Sequence, residues 1–388
     1  MAAAARVAAA AGPAAAPAGS TAVGRPTARA TVLHTEASTG FGGQEIRIIA
    51  ETQWLRGHGW EALIVAQPGS RLADEARAAS LPVVVVPMPS AFDPRALLAL
   101  RRVIREHHVD VVHTHSSVDS WLGGLAGRSR GVPVVRSRHV SIAIPRRRAL
   151  VYRLAHRVIT SGQAVADVVA RAGIRRDRIV PVTPGVDTTR FHPGVSGAGV
   201  RAELVLAGPA VGLVANIRGS KGHAYFLEAA REVTRAVPAA RFLIVGDGIG
   251  FDDVRRRVRE MDLERVVIMT GFRRDIPEVL AALDVLVLPS IRSEAASQVI
   301  PQALAVGTPV IATEVGGNPE LVRDRQTGRL VPPADGPALA AAILEVLRDP
   351  AGARALAARG QVLVLAEHSL DAAMARTTGV YAALLGRR

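Results

Sequence analysis

The chain has no cysteine in its 388 residues, which excludes a disulfide framework, thiolate zinc sites, iron–sulfur clusters and a cysteine nucleophile. Lysine is almost missing too: of 48 basic residues, only Lys221 is not an arginine. Aromatic residues are scarce, with 7 Phe, 3 Trp and 3 Tyr scattered along the sequence. That is too few for the stacking platforms of a nucleic-acid-binding surface. No apolar run approaches the roughly 20 residues of a membrane span.

What remains is 49% hydrophobic and 21% charged, neither disordered nor fibrous. At roughly 100–200 residues per domain, two domains are expected. The net charge of +14 is unevenly placed: residues 1–195 hold 25 Arg against 13 acidic residues, and residues 196–388 hold 23 basic against 21 acidic. The excess of arginine and alanine is the habit of a GC-rich coding sequence, but the asymmetry suggests halves with different partners. Residues 1–29 are Ala, Gly and Pro with a few arginines. Gly12, Pro13 and Pro17 break the alanine run, and it lacks the Leu/Val/Phe centre of an export signal. A disordered tail is the expectation.

From Thr31 onward, short β-type runs alternate with amphipathic helical stretches. Strands are expected at 31–35, 62–66, 83–86, 109–113, 132–135, 158–160 and 179–182, with helices at 44–56, 94–107 and 164–172. The segment 183–199 reads as a linker. A second cycle follows, with strands at 211–215, 242–245, 266–269, 285–288, 310–312 and 329–331. Its helices are expected at 224–236, 251–261, 297–306 and 337–347, and further helical stretches run to Leu385. Alternating strands and helices imply parallel sheets covered on both faces. The fold class is therefore α/β, with two doubly wound Rossmann-like domains facing a central cleft. The expected divisions are a tail at 1–29, domains at 30–190 and 191–365, and a C-terminal helix at 366–388 returning to the first domain.

Four constellations follow predicted strands, where ligands of such sheets bind. Thr39-Gly-Phe-Gly-Gly-Gln-Glu45 could bring backbone amides to an anion at a helix N-terminus, or be a tight turn. His113-Thr-His-Ser116 has two histidines at i, i+2 and no carboxylate pair, a poor zinc site. It fits hydrogen bonding to a polar substrate, or histidines satisfied at the edge of the core. Asn216-Ile-Arg-Gly-Ser-Lys-Gly-His223 places Arg218 and Lys221 where a pyrophosphate would meet a helix. In a chain that otherwise writes arginine, a lone lysine here marks a compact ammonium, unless it is retained by chance. Finally, Pro289-Ser-Ile-Arg-Ser-Glu-Ala-Ala-Ser-Gln298 offers Glu294 to sugar hydroxyls and runs into a helix carrying Gln302.

Taken together, these segments resemble the retaining family 4 glycosyltransferases from about Thr31 to Leu385. The resemblance is carried by Gly40–Gly43, Asp110-Val-Val-His-Thr-His115, Pro184-Gly-Val-Asp-Thr-Thr-Arg-Phe191, Arg218–Gly222 and Val245-Gly-Asp-Gly248. It continues through the Glu294 region, Gly307-Thr-Pro-Val310 and Gly316-Gly-Asn-Pro-Glu-Leu-Val322. It implies a GT-B fold with a UDP- or GDP-sugar in the second domain, and transfer to a lipid-linked or cell-surface glycan hydroxyl. Arg218 and Lys221 would neutralise the leaving diphosphate. Glu294 would hold the donor sugar, and the amides of Ala296, Ser297 and Gln298 would lie near phosphates and sugar. Gly42 and Gly43 would contribute from the opposite wall, and His115, with His113 as its less favoured substitute, would sit beside the sugar. The family's second Glu, which binds ribose, is replaced here by Gln302.

No second carboxylate stands near Glu294 at glycosidase-like positions, and no nucleophile has a paired base. Retention would then rest on charge stabilisation of the leaving diphosphate. Neither a metal nor another cofactor is expected, since no Asp-x-Asp motif is present. Arg136, Arg138 and the run Arg146, Arg147, Arg148 could face anionic lipid or an anionic acceptor, or form a solvated face. The expected location is the cytoplasm, with peripheral contact at the inner face of the membrane. Two other readings are a nucleotide-sugar epimerase of related two-domain fold and a catalytically silent sugar-nucleotide-binding protein.

Overall fold

The computed structural model describes residues 30–292 and 294–386, without the side chain of Arg146. The expected tail at 1–29, the last two residues and Ser293 lie outside this range, as does the membrane contact expected of the Arg146 side chain.

The first sheet is built from β1 (Thr31–Glu36), β2 (Glu61–Ala66), β3 (Val83–Val85), β4 (Val111–Thr114), β5 (Val134–Arg138), β6 (Arg157–Thr160) and β7 (Ile179–Pro181). Its order is β3-β2-β1-β4-β5-β6-β7. The second contains β8 (Ala210–Val214), β9 (Arg241–Val245), β10 (Val267–Gly271), β11 (Val285–Leu288), β12 (Val310–Thr313) and β13 (Arg329–Val331), in the order β10-β9-β8-β11-β12-β13. Every pairing is parallel. Because helices cover both faces, the strands are apolar on both sides: Val32, Leu33, Val111, Val112, Val285, Leu286, Val287 and Leu288 are fully buried. Strand order reverses at β1/β4 in the first sheet and at β8/β11 in the second. These are the crevices where doubly wound sheets bind ligands.

Helix Ser117–Ser129 was not anticipated by periodicity. Three glycines and three serines give its sequence little helical preference. They are there for packing: a Cβ on Gly127 would lie 2.8 Å from Val134 Cγ2, so only glycine lets this helix lie flat on the sheet. Its N-terminus is capped by Asp119, which accepts from the backbone N–H of Ser116 at 2.8 Å.

After the second sheet the chain crosses back. Val186 and Ser369 form a parallel bridge, and helix Leu370–Leu385 packs Met374 and Tyr381 against Val32, Val111 and Val135 of the first sheet. Trp54 Nε1 donates to Asp371 at 2.6 Å. Among the described residues no helix is long and apolar enough to cross a membrane.

Candidate active site

Loops at the carboxyl ends of the two sheets meet across a cleft. Gln298, after β11, donates from Nε2 to the Gly43 carbonyl after β1 at 2.8 Å. Glu320, after β12, accepts from the backbone N–H groups of Gln163 and Ala164, both at 2.7 Å. A carboxylate of the second domain thus caps helix Gln163–Arg171 of the first, where the helix dipole favours negative charge. Arg274 pairs with Glu75 at 2.8 Å, and Arg71 lies 4.8 Å from both the Phe41 and Phe272 rings.

On the second-domain wall, two loops are stitched by close backbone approach. Gly222 has φ +72°, and a Cβ there would lie 1.8 Å from the Pro289 carbonyl oxygen. Ile291 N–H donates to the Ser220 carbonyl at 2.9 Å. This stitching brings Lys221 and Glu294 into contact. Lys221 Nζ is 2.7 Å from Glu294 Oε2, which also accepts from Ser290 Oγ at 2.6 Å. Their side chains are only 11% and 8% exposed, so this is a buried pair whose charges must answer each other. The two residues assigned separately to diphosphate and sugar are therefore partners in this state. Arg218 is exposed and has no ion-pair partner among the described residues.

Gln302 is half-buried on helix Val299–Val306, one turn beyond Gln298. Ala296, Ser297 and Gln298 precede that helix, whose first amides lack intrahelical acceptors. Across the cleft, Gly42 donates its N–H to Glu45 Oε2 at 2.8 Å as helix Gly43–Gly57 begins.

The first-domain wall holds a stack of four histidines from three adjacent strands. His34 Nδ1 lies 2.9 Å from His115 Nε2, and His115 Nδ1 lies 3.1 Å from His139 Nε2. His113 is bonded to Tyr381 Oη at 2.6 Å and to Ser137 Oγ at 2.8 Å. Burial holds His34 down to about 4 and pushes His113, His115 and His139 well below the usual imidazole range, so all four are neutral at pH 7. Nitrogens of His34, His113 and His115 lie within 4.8 Å of one another. The His34–His115 separation, however, is that of a hydrogen bond. It is shorter than the ~3.3 Å expected of two nitrogens on one tetrahedral zinc. Both ring nitrogens of His115 are engaged by other imidazoles, and His139 forms the half-buried end of the chain.

Sequence reasoning passed over four of these neighbours. His34 and Glu36 end β1, His139 follows β5, and His223 opens helix His223–Ala236 with its pKa lowered to about 4 by burial and by Lys221. The available signal was a polar ending, His34-Thr-Glu36, on an otherwise apolar buried strand. Arg136 is also not where surface reasoning expected it. It is buried, 4.1 Å from the Tyr152 ring, whereas Arg147 and Arg148 are exposed.

Glu36 accepts from Ser38 N–H at 2.7 Å and contacts the Gln44 amide. Burial first, then the charge of Asp119, raises its pKa to about 8. An unfolded Glu releases its proton near 4.5, so between 4.5 and 8 the folded state binds the extra proton. Stability therefore falls as pH rises through this window, and the loss is complete above 8. Glu36→Gln, which keeps the neutral shape, is expected to melt with wild type at pH 5 and at least about 5 °C above it at pH 9. Parallel melting curves at both pH values would remove this assignment.

Residues 41–190 match the family model described as Glycosyltransferase Family 4, and residues 208–349 match the model described as Glycosyl transferases group 1. The chain is 32% identical to a D-inositol 3-phosphate glycosyltransferase of Acidothermus cellulolyticus over 308 residues, covering 72% of this chain and 68% of that protein. It is 29% identical over 279 residues to the Escherichia coli UDP-Gal:alpha-D-GlcNAc-diphosphoundecaprenol alpha-1,3-galactosyltransferase, covering 67% and 72%. Among solved structures, Anabaena HepE in complex with UDP superposes with a TM-score of 0.82 at 22% identity, covering 91% of this chain and all of that one.

Proposed function

Since the chain belongs to the retaining family 4 (group 1) glycosyltransferases, enzymes that transfer a sugar from a nucleotide-sugar, we propose that its donor is a UDP-sugar and its acceptor a lipid-linked glycan. The observation that carries the donor assignment is the buried Lys221–Glu294–Ser290 cluster at the β8/β11 switch point, with Arg218, exposed and without an ion-pair partner among the described residues, three positions before Lys221. A donor diphosphate draws the Lys221 ammonium from Glu294. The carboxylate is then free to accept hydrogen bonds from the sugar hydroxyls. Lys221 and Arg218 stabilise charge as it develops on the leaving diphosphate, assisted by the amides of Ala296, Ser297 and Gln298. The acceptor hydroxyl attacks from the face the diphosphate leaves, and its proton passes to the departing phosphate. Gln302 binds ribose through its amide, and Gly42 and Gly43 close the opposite wall. The imidazole chain through His115 lines the sugar.

Uridine as the base is supported by the UDP-sugar named for the Escherichia coli relative and the UDP held by the Anabaena neighbour. A lipid-linked acceptor is supported by the first-domain segment 140–150, where Val140, Ile142 and Leu150 are exposed in the same stretch as the exposed Arg147 and Arg148. Apolar side chains interleaved with arginine suit the interface of an anionic membrane, which would put the enzyme at the inner face of that membrane. The test is a screen of radiolabelled UDP- and GDP-sugars against a lipid extract of cell envelope and, separately, against soluble polyols. Nucleotide release that requires UDP-sugar and lipid extract is the expected result. Release with soluble polyols alone would overturn the acceptor, and release from GDP-sugars alone would overturn the donor.

A further inference from the structure

Far from the cleft, at the amino ends of β5, β6 and β7, lies a cavity of about 380 Å³ lined by Arg128, Pro133, His156, Arg157, Arg178 and Leu384, together with Gly131. Three guanidinium groups share this space, and among the described residues no carboxylate lines it. Each arginine is tethered on one side to backbone carbonyls. Arg128 Nε donates to Leu154 O at 2.9 Å, Arg157 Nη1 to His156 O at 3.1 Å, and Arg178 Nη2 to Ala155 O. Arg128 Nη2 also reaches the Arg153 carbonyl at 3.4 Å, and Arg178 Nη2 the Tyr152 carbonyl at 3.5 Å. Arg128 Nη1 and the remaining nitrogens of Arg157 and Arg178 have no protein acceptor among the described residues. His156 has a fixed tautomer: its Nδ1 accepts from Val134 N–H at 2.9 Å, so its Nε2 carries the proton and is a fourth donor.

Like charges held this close repel one another. Burial and then Arg128 lower the His156 pKa, and burial followed by Arg128 and Arg157 lowers that of Arg178, with Asp177 opposing only weakly. Such repulsion is relieved by an anion with several acceptor oxygens, the usual partner of converging arginine forks. The volume exceeds that of a bare oxyanion and leaves room for a substituent.

We propose that this cavity is a binding site for a phosphate or diphosphate group, separate from the donor cleft and served by Arg128, Arg157, Arg178 and His156. The group could belong to a soluble phosphorylated metabolite or to an anionic lipid headgroup, since both present the same oxygens.

Inorganic pyrophosphate, titrated calorimetrically into the full-length protein, distinguishes this site from the cleft. Two classes of site are expected. One is weakened at least about tenfold in Arg128→Gln/Arg157→Gln and kept in Arg218→Gln, and the other behaves the opposite way. The far-site variant should keep wild-type turnover in the transferase assay, which shows that it is folded. A parallel sedimentation with vesicles of phosphatidylcholine, with and without phosphatidic acid, identifies the source. Retention on phosphatidic acid that is lost in the same double variant indicates a lipid headgroup. Pyrophosphate binding without such retention indicates a soluble ligand. Identical pyrophosphate isotherms and vesicle retention for wild type and Arg128→Gln/Arg157→Gln would overturn the site.

Discussion

Lys221→Met is expected to cost about 3–5 kcal/mol of stability and to lower kcat/KM at least about 100-fold. The first effect follows from burial. With Lys221 gone, the Glu294 carboxylate keeps, among the described residues, only Ser290 as a partner while 8% exposed. The second follows from chemistry, because the proposed donor site sets two cations, Lys221 and Arg218, against the leaving diphosphate. Lys221→Met/Glu294→Leu separates them. Replacing both charges by apolar groups removes the stranded carboxylate, so most of the stability should return, while turnover stays lost. Urea denaturation and nucleotide-release kinetics on the two variants are sufficient. A single variant with wild-type stability and rate would show that the pair supports neither the fold nor turnover.

Gly316→Ala is the second large effect: donor affinity should fall at least about tenfold. Gly316 sits at φ +57°, and a Cβ there would lie 1.7 Å from the Glu294 carbonyl oxygen. The backbone fixes where the Cβ lies and the carbonyl is itself backbone, so no rotamer change relieves the contact, and the loop carrying Glu294 must move. Adopting a left-handed conformation costs an alanine only about 1–2 kcal/mol. Gly307→Ala is the matched control, since Gly307 has φ +96° and a Cβ there meets nothing within 4 Å. It should melt lower yet bind donor within about twofold of wild type. Equal donor affinity in the two variants would mean that the Gly316 contact does not position Glu294.

The alternation of apolar runs and amphipathic stretches carried both sheets, because a strand buried on two faces has few ways to be anything else. Helix Ser117–Ser129 escaped because its glycines answer to packing partners far along the chain, Thr35 at Gly123 and Leu154 at Gly124, that no local window contains. The same limit governs the site. Arg218, Lys221 and Glu294 stand out within short loops and Gln302 on the helix that follows, and their motifs were legible. The contact between Lys221 and Glu294 was not, since it spans 73 residues of sequence. His115 was visible, but its partners His34 and His139 come from other strands, and Tyr381 reaches His113 from 268 residues away. Glu320 belonged to a recognisable turn, yet its role across the cleft depends on the backbone amides of Gln163 and Ala164, which carry no sequence signal.

The most direct measurement follows the anomeric carbon itself. UDP-glucose and UDP-galactose labelled with carbon-13 at that position are incubated with enzyme and lipid extract, and the products are read by NMR. The account predicts stoichiometric UDP and a new glycoside of the donor's own anomeric configuration, formed by wild type and not by Lys221→Met. A sugar altered in stereochemistry but still joined to UDP, or a glycoside of inverted configuration, would contradict it.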